Sequence, residues 1–268
     1  MGGGGLKGLA HIGALRALSE AGVRVQGMVG TSIGALVGAM AAAGRRWAEL
    51  AELARELRKE DIVRVNRRAL LFNGIRQPSL FRGDTLREYL ERVLPAEGWD
   101  ALGTPLQVNA VDLATGHTEW FGPGARTDVS LLEAVYASAA LPVFYPPAAM
   151  DGRAFVDGGT EHPLALERAE ELGATGIIGV DVGSGEVGDA ERILRQGMLA
   201  VHQRIFSIMT FRRRRDLLRQ WDGVPLLYVR PRLDGYETFD FDNIEFFMEE
   251  GYRATRAELE RAGAALRT

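Results

Sequence analysis

The stretch that most restricts the fold is "VRVQGMVGTSIGALVGAM", residues 23–40. Its first eight residues read as a short buried strand. Within two residues the pattern becomes a helix of small and apolar side chains, closed by Gly44. A strand that turns this sharply into a helix needs glycines around the turn so that the two can pass closely. The same alternation recurs along the chain. "PLQVNAVDLATGHTEWFG" reads as two strands, "SLLEAVYASAAL" as a helix stopped by Pro142, and "VFYPPAAMDGRAFVDGG" as a hairpin around Asp151-Gly152. "PLALERAEELGA" is a helix, "TGIIGVDVG" a buried strand, and residues 189–221 one or two helices. "VPLLYVRP" is a last strand and residues 243–266 a closing amphipathic helix. "RWAELAELARELRKED" reads as one amphipathic surface helix, and residues 64–82 as a long loop or lid. Short apolar strands alternating with helices predict an α/β layered fold with a largely parallel sheet. No repeat or linker interrupts residues 1–268, so one domain is expected.

Composition removes several function classes. Cysteine is absent, which excludes disulfides, thiol catalysis and thiolate metal sites. The four histidines, His11, His117, His162 and His202, are scattered, so no metal site is expected. A net charge of −4 gives no reason to expect nucleic acid binding. No apolar run approaches the roughly 18 residues of a membrane span. No basic-then-apolar leader opens the sequence, and a cytoplasmic protein is expected, at most peripheral to a membrane.

Three motifs carry chemistry. "GTSIG", Gly30 to Gly34, has the strand–turn–helix context of a nucleophile elbow, with Ser32 exposed on a strained turn. The alternative is a glycine-rich turn with a capping serine. Gly3, Gly5 and Gly8 match G-x-G-x-x-G at the start of the first helix. That spacing is also the dinucleotide fingerprint. However, Glu20 falls inside the helix instead of ending a second strand, and Leu9 stands where a phosphate loop needs lysine. Backbone amides aimed at an oxyanion fit better. "FVDGG" puts Asp157 at a strand end before Gly158 and Gly159, where it is either a base for Ser32 or an ordinary aspartate–glycine turn.

In this order the motifs resemble those of the patatin-like phospholipases. "GGGGLKGLAHIGALRALSEAG" is similar to their glycine-rich opening, "GTSIGALVGAM" to their elbow, and "ASAALPVFYPPAAMDGRAFVDGG" to the block that ends in their aspartate. The likeness continues through "GVDVG" and "FDFDNIEFFMEEGYRATRAEL". It implies a three-layer α/β/α sandwich with a mainly parallel central sheet. It also implies a Ser–Asp dyad without a cofactor, acting on lipid esters. Carried over by position, Ser32 is the nucleophile and Asp157 the base. Gly3, Gly4 and Gly5 supply oxyanion amides, and Lys7, Gly8, Gly30, Gly34, Gly158 and Gly159 support the motifs. Gly2 is then expendable. The resemblance also implies a buried strand ahead of the glycine loop. A natural start about 8–40 residues upstream is expected from usual strand lengths.

Two other readings stay open. Ser32, Asp157 and His202 also follow the chain order of a Ser–His–Asp esterase. A non-catalytic lipid-binding protein on the same fold is the other. "FSIMTFRRRR", residues 206–215, joins apolar residues to a basic end suited to an anionic membrane surface, or is a helix with one core face and a solvated arginine face. "ALLF", Ala69 to Phe72, is a candidate lining for an acyl entrance.

Overall fold

A computed structural model describes residues 1–66, 77–185 and 188–265. The proposed acyl-entrance segment Ala69–Phe72, and most of the expected lid, lie outside them. The described strands are β1 (Met28–Gly30), β2 (Leu106–Asp112), β3 (Thr118–Phe121), β4 (Ala148–Met150), β5 (Arg153–Asp157), β6 (Ile177–Val180) and β7 (Leu226–Val229). The α-helices are α1 (Ala10–Glu20), α2 (Ile33–Ala42), α3 (Trp47–Glu56), α4 (Lys59–Ile62) and α5 (Gly83–Val93). They continue with α6 (Leu131–Ala139), α7 (Leu166–Glu171), α8 (Ala190–Arg195), α9 (Met198–Gln220) and α10 (Ile244–Ala265).

The fold is α/β, with mixed pairing. All seven residues of β2 are buried, so both faces of the strand are covered, as in a layered sandwich. β1 pairs with β2 in parallel, and β6 with β7 in parallel. β3 and β5 pair with β2 antiparallel, as does β4 with β5. The β4–β5 hairpin turns at Asp151-Gly152, both at positive φ, as its sequence predicts. Residues Met1 and Gly2 run between the two sheets. Thr31 N–H donates to Met1 O, and Gly2 N–H donates to Val180 O at the end of β6.

One register detail positions the functional residues. β1 occupies the first half of one edge of β2, and Gly30 lies opposite Val108. β5 occupies the second half of that edge, running the other way, and Asp157 lies opposite Ala110. β3 covers the opposite edge, from Val108 to Val111. The two strands thus meet head-on at Asn109, and each ends there in a turn. Asn109 is fully buried, and its Nδ2 donates to Gly158 O and His162 O at 3.3 and 3.4 Å.

Two helices differ from the sequence reading. The first helix opens with a 3-10 turn, Gly5–Leu9, before α1 begins. The expected helix over residues 46–61 is broken: Leu57 and Arg58 are extended between α3 and α4. The break turns Leu57 into the wall of the cavity described below instead of continuing a surface stripe.

The Asn109 amide holds the turn that follows Asp157, so its loss should be felt in stability. Asn109→Ala is expected to lower the thermal midpoint by several degrees, about 1–3 kcal/mol for the unmade hydrogen bonds, with the sheet retained. Circular dichroism melts measure this directly.

Candidate active site

Ser32 lies in the turn after β1 at the N-terminal boundary of α2, and its side chain makes no capping hydrogen bond to that helix. Its backbone sits at φ 56° and ψ −124°, a conformation that L-residues adopt only when the surroundings impose it. Here they do. Gly34 sits where a Cβ would approach Met1 O to 2.3 Å, so only glycine lets α2 start so close to the chain beside it. Ser32 N–H donates to Ser138 Oγ of α6 at 2.9 Å, and Thr31 Oγ donates to His162 O at 2.9 Å. The turn is therefore held from both sides.

Ser32 Oγ donates to Asp157 Oδ2 at 2.6 Å. The other carboxylate oxygen accepts Gly159 N–H at 2.7 Å. Asp157 is 3% exposed, and among the described residues no histidine, lysine or arginine is hydrogen-bonded or ion-paired to it. Burial raises its pKa to about 6, against the lowering effect of its two hydrogen bonds. This is the burial that an aspartate needs to act as a base toward a hydroxyl.

The glycine loop lies beside the serine but divides its amides differently from the expectation. Gly3 N–H donates to Pro163 O at 3.0 Å, so it is not free to meet an oxyanion. Gly2 is not expendable: its N–H holds Val180 O, and its O meets His11 Nε2 at 2.8 Å. The amides of Gly4 and Gly5 find no acceptor among the described residues, and both glycines line the cavity. The amide of Ile33, the residue after the serine, is likewise unclaimed. Gly4 presses on the loop after β6, where a Cβ would meet Val182 O at 2.4 Å.

Behind the glycine loop lies a buried ionic network. Lys7 is 1% exposed, and its Nζ donates to Ser184 Oγ at 2.6 Å. Burial, with the neighbouring Arg214 guanidinium, lowers its pKa to about 8. Arg214 of α9 donates to Asp181 at 3.0 Å and to Ser184 O at 2.7 Å. Asp181 also accepts Gly183 N–H, Tyr228 OH and Arg230 Nη1. The segment 181–184, which Gly4 touches, is thus fixed by Arg214 and Asp181. On sequence Lys7 has only a motif-supporting place, and its hydrogen-bond partner Ser184, 177 residues away in the chain, carries no local signal.

A cavity opens over Ser32 and Asp157. Its lining is mainly apolar, with Leu57, Ile62, Leu86, Leu90, Phe144 and Phe239, and Ser184, Gln203, Ser207 and Thr210 add polar side chains. His202 also lines it, yet neither Ser32 nor Asp157 is hydrogen-bonded to it. His11 is fully buried beneath the glycine loop, where burial takes its pKa down to about 3. His162 packs against Trp120.

The sequence model of the patatin-like phospholipase family matches residues 1–169. An uncharacterized NTE family protein of Mycobacterium tuberculosis is 33% identical over 190 residues, covering 71% of this chain and 50% of the relative. Patatin-like phospholipase domain-containing protein 6 of Homo sapiens is 28% identical over 293 residues, covering 96% of this chain and 20% of the relative. The chain thus spans half the length of the mycobacterial relative and a fifth of the human one. VipD from Legionella pneumophila is similar in fold, with a TM-score of 0.52 at 15% identity, covering 97% of this chain and 66% of that one.

The buried carboxylate should cost stability wherever it is ionised. Its folded pKa of about 6 lies above the roughly 3.9 of an unfolded aspartate, so the folded state holds the extra proton between these values. The stability associated with that proton is full below about pH 4 and lost as pH rises through about 6. Asp157→Asn is therefore expected to be more stable than the parent above pH 6, by up to about 3 kcal/mol. The difference should shrink toward pH 4, as read by thermal melts across pH.

Proposed function

The chain belongs to the patatin-like phospholipase family, and from that premise and the site's geometry we propose a serine acyl hydrolase that cleaves lipid esters with a Ser–Asp dyad. The observation that carries this reading is the 2.6 Å hydrogen bond from Ser32 Oγ to a buried Asp157, both lining a mainly apolar cavity. The unclaimed amides of Gly4, Gly5 and Ile33 support the oxyanion hole.

Ser32 Oγ attacks the ester carbonyl carbon, and its proton passes to Asp157 Oδ2. The carbonyl oxygen becomes an oxyanion and takes hydrogen bonds from the three free amides; removing one such donor typically costs 10²–10³ in rate. The intermediate collapses, the C–O bond to the leaving alcohol breaks, and Asp157 returns the proton to that alcohol. Water then attacks the acyl-serine and gives its proton to Asp157. The second intermediate expels Ser32 Oγ, which recovers the proton, and the fatty acid leaves. The mainly apolar lining suits the acyl chain, and its few polar side chains suit the glycerol and head group of a phospholipid or lysophospholipid.

The same reading takes the protein as cytoplasmic and peripheral to an anionic membrane. Among the described residues no helix is long and apolar enough to cross one.

Ser32→Ala and Asp157→Ala are expected to abolish hydrolysis of a short-chain nitrophenyl ester, while His202→Ala keeps most of it. Loss of activity in folded His202→Ala would favour a triad instead. No turnover by the parent protein would favour a non-catalytic lipid binder. The pH profile gives a separate check. As pH falls below about 6, Asp157 takes up its proton, and kcat/KM should drop about tenfold per unit.

A further inference from the structure

Helix α9 has two faces with different partners. His202, Gln203, Phe206, Ser207, Thr210 and Arg214 line the cavity. On the outer face Met198 is 86% exposed, Ile205 53% and Met209 59%, and Leu194, just before on α8, is 71% exposed. These are four of the nine large hydrophobics exposed among the described residues, gathered within 16 positions. Their clustering is what separates them from ordinary scattered surface hydrophobics. Met198, Ile205, Met209, Arg212 and Arg219 are spaced seven, four, three and seven residues apart, a helical repeat that keeps them on one face.

Charge decides what that face meets. α9 carries six arginines, at 204, 212, 213, 214, 215 and 219, against one acid, Asp216, in a chain of net charge −4. Arg214 is spent on Asp181, and Arg213 on Glu161 at 2.5 Å. Arg212 and Arg219, which continue the apolar stripe with the exposed Asp216 between them, make no ion pair among the described residues and leave this end of the face net positive. An apolar stripe that runs into cations on one helix face matches the boundary of an anionic bilayer, with side chains among the acyl chains and guanidinium groups among the phosphates.

We propose that the outer face of α9 is the surface by which this protein docks on an anionic lipid bilayer, next to the mouth of its own cavity. The inference rests on the lipid-ester reading above and adds the partner surface and its orientation. His202, on the cavity rim, is four residues after Met198 and three before Ile205, so rim and stripe adjoin on the helix. A lipid ester leaving the bilayer beside α9 reaches the cavity without crossing bulk water.

The test uses the full chain and three readouts. These are co-sedimentation with phosphatidylcholine vesicles or with vesicles that also hold phosphatidylglycerol, turnover of a soluble short-chain ester, and molar mass by light scattering. The parent is expected to bind the anionic vesicles more tightly. The triple variant M198S/I205S/M209S should lose at least about tenfold in that binding. R212E/R219E should lose the preference for phosphatidylglycerol. Both variants change exposed residues outside the cavity, so soluble-ester turnover should stay within about twofold of the parent. Equal vesicle binding by parent and triple variant would overturn the docking surface. So would a parent dimer that the triple variant dissociates, because the stripe would then cover a second copy. Vesicle binding lost in the triple variant by a protein that turns over no ester would uphold the surface and count against the hydrolase reading alone.

Discussion

The site depends on two strands that run into each other. β1 and β5 share one edge of β2 and approach Asn109 from opposite ends. Neither can extend past the other, so each must leave the sheet there. β1 leaves through the turn that carries Ser32, and β5 through the turn that begins at Asp157. The pairing thus delivers a hydroxyl and a carboxylate 125 residues apart in sequence to one hydrogen bond. The strain at Ser32 is a consequence. A strand that stops at β2 and starts a helix at once has room only for a residue at positive φ. The rest of the chain keeps this junction rigid: β2 is buried along its length, α6 presents Ser138 to the turn, and the glycine loop is clamped between Val182 and Thr238.

The electrostatics divide along the same junction. Among the described residues no cation pairs with Asp157, so burial dominates and it holds its proton more strongly than an ordinary aspartate. The glycine-loop side is cationic, with Lys7, Arg214 and Arg230 gathered around Asp181. A basic carboxylate on one side and positive charge behind the glycine loop on the other is a polarity that acyl transfer can use. In the proposed mechanism, proton transfer to Asp157 leaves the developing negative charge on the carbonyl oxygen, next to the amides. Each arrangement carries a desolvation cost, which the surrounding apolar core offsets.

Much of this was legible in the sequence, and the rest fails for identifiable reasons. The strand–turn–helix around Ser32, the strands of β2 to β5 and the Asp151-Gly152 turn follow from local pattern. The register does not, because it is a relation between segments far apart in the chain. The strand expected over residues 23–30 pairs only at Met28–Gly30, since β2 itself begins at Leu106 and offers residues 23–27 no strand to pair with. Gly3, Gly4 and Gly5 are equivalent as letters. What separates them is that Pro163, far along the chain, accepts the amide of one and leaves two. Lys7 and its partner Ser184 are likewise 177 residues apart.

α9 shows why helical periodicity alone misleads at a binding site. Phe206 and Thr210 recur at the spacing of a core face, and the arginines at the spacing of a solvated one. The inner face, however, borders a cavity, so its residues mix apolar and polar types in a way that a packed core would not accept. The outer face keeps methionine and isoleucine more than half exposed to water. Folding by itself would be content with polar residues at those positions. In the proposed arrangement, a helix that is too polar for the core on one side and too apolar for water on the other has its composition set by what comes to it: a ligand inside and a lipid surface outside.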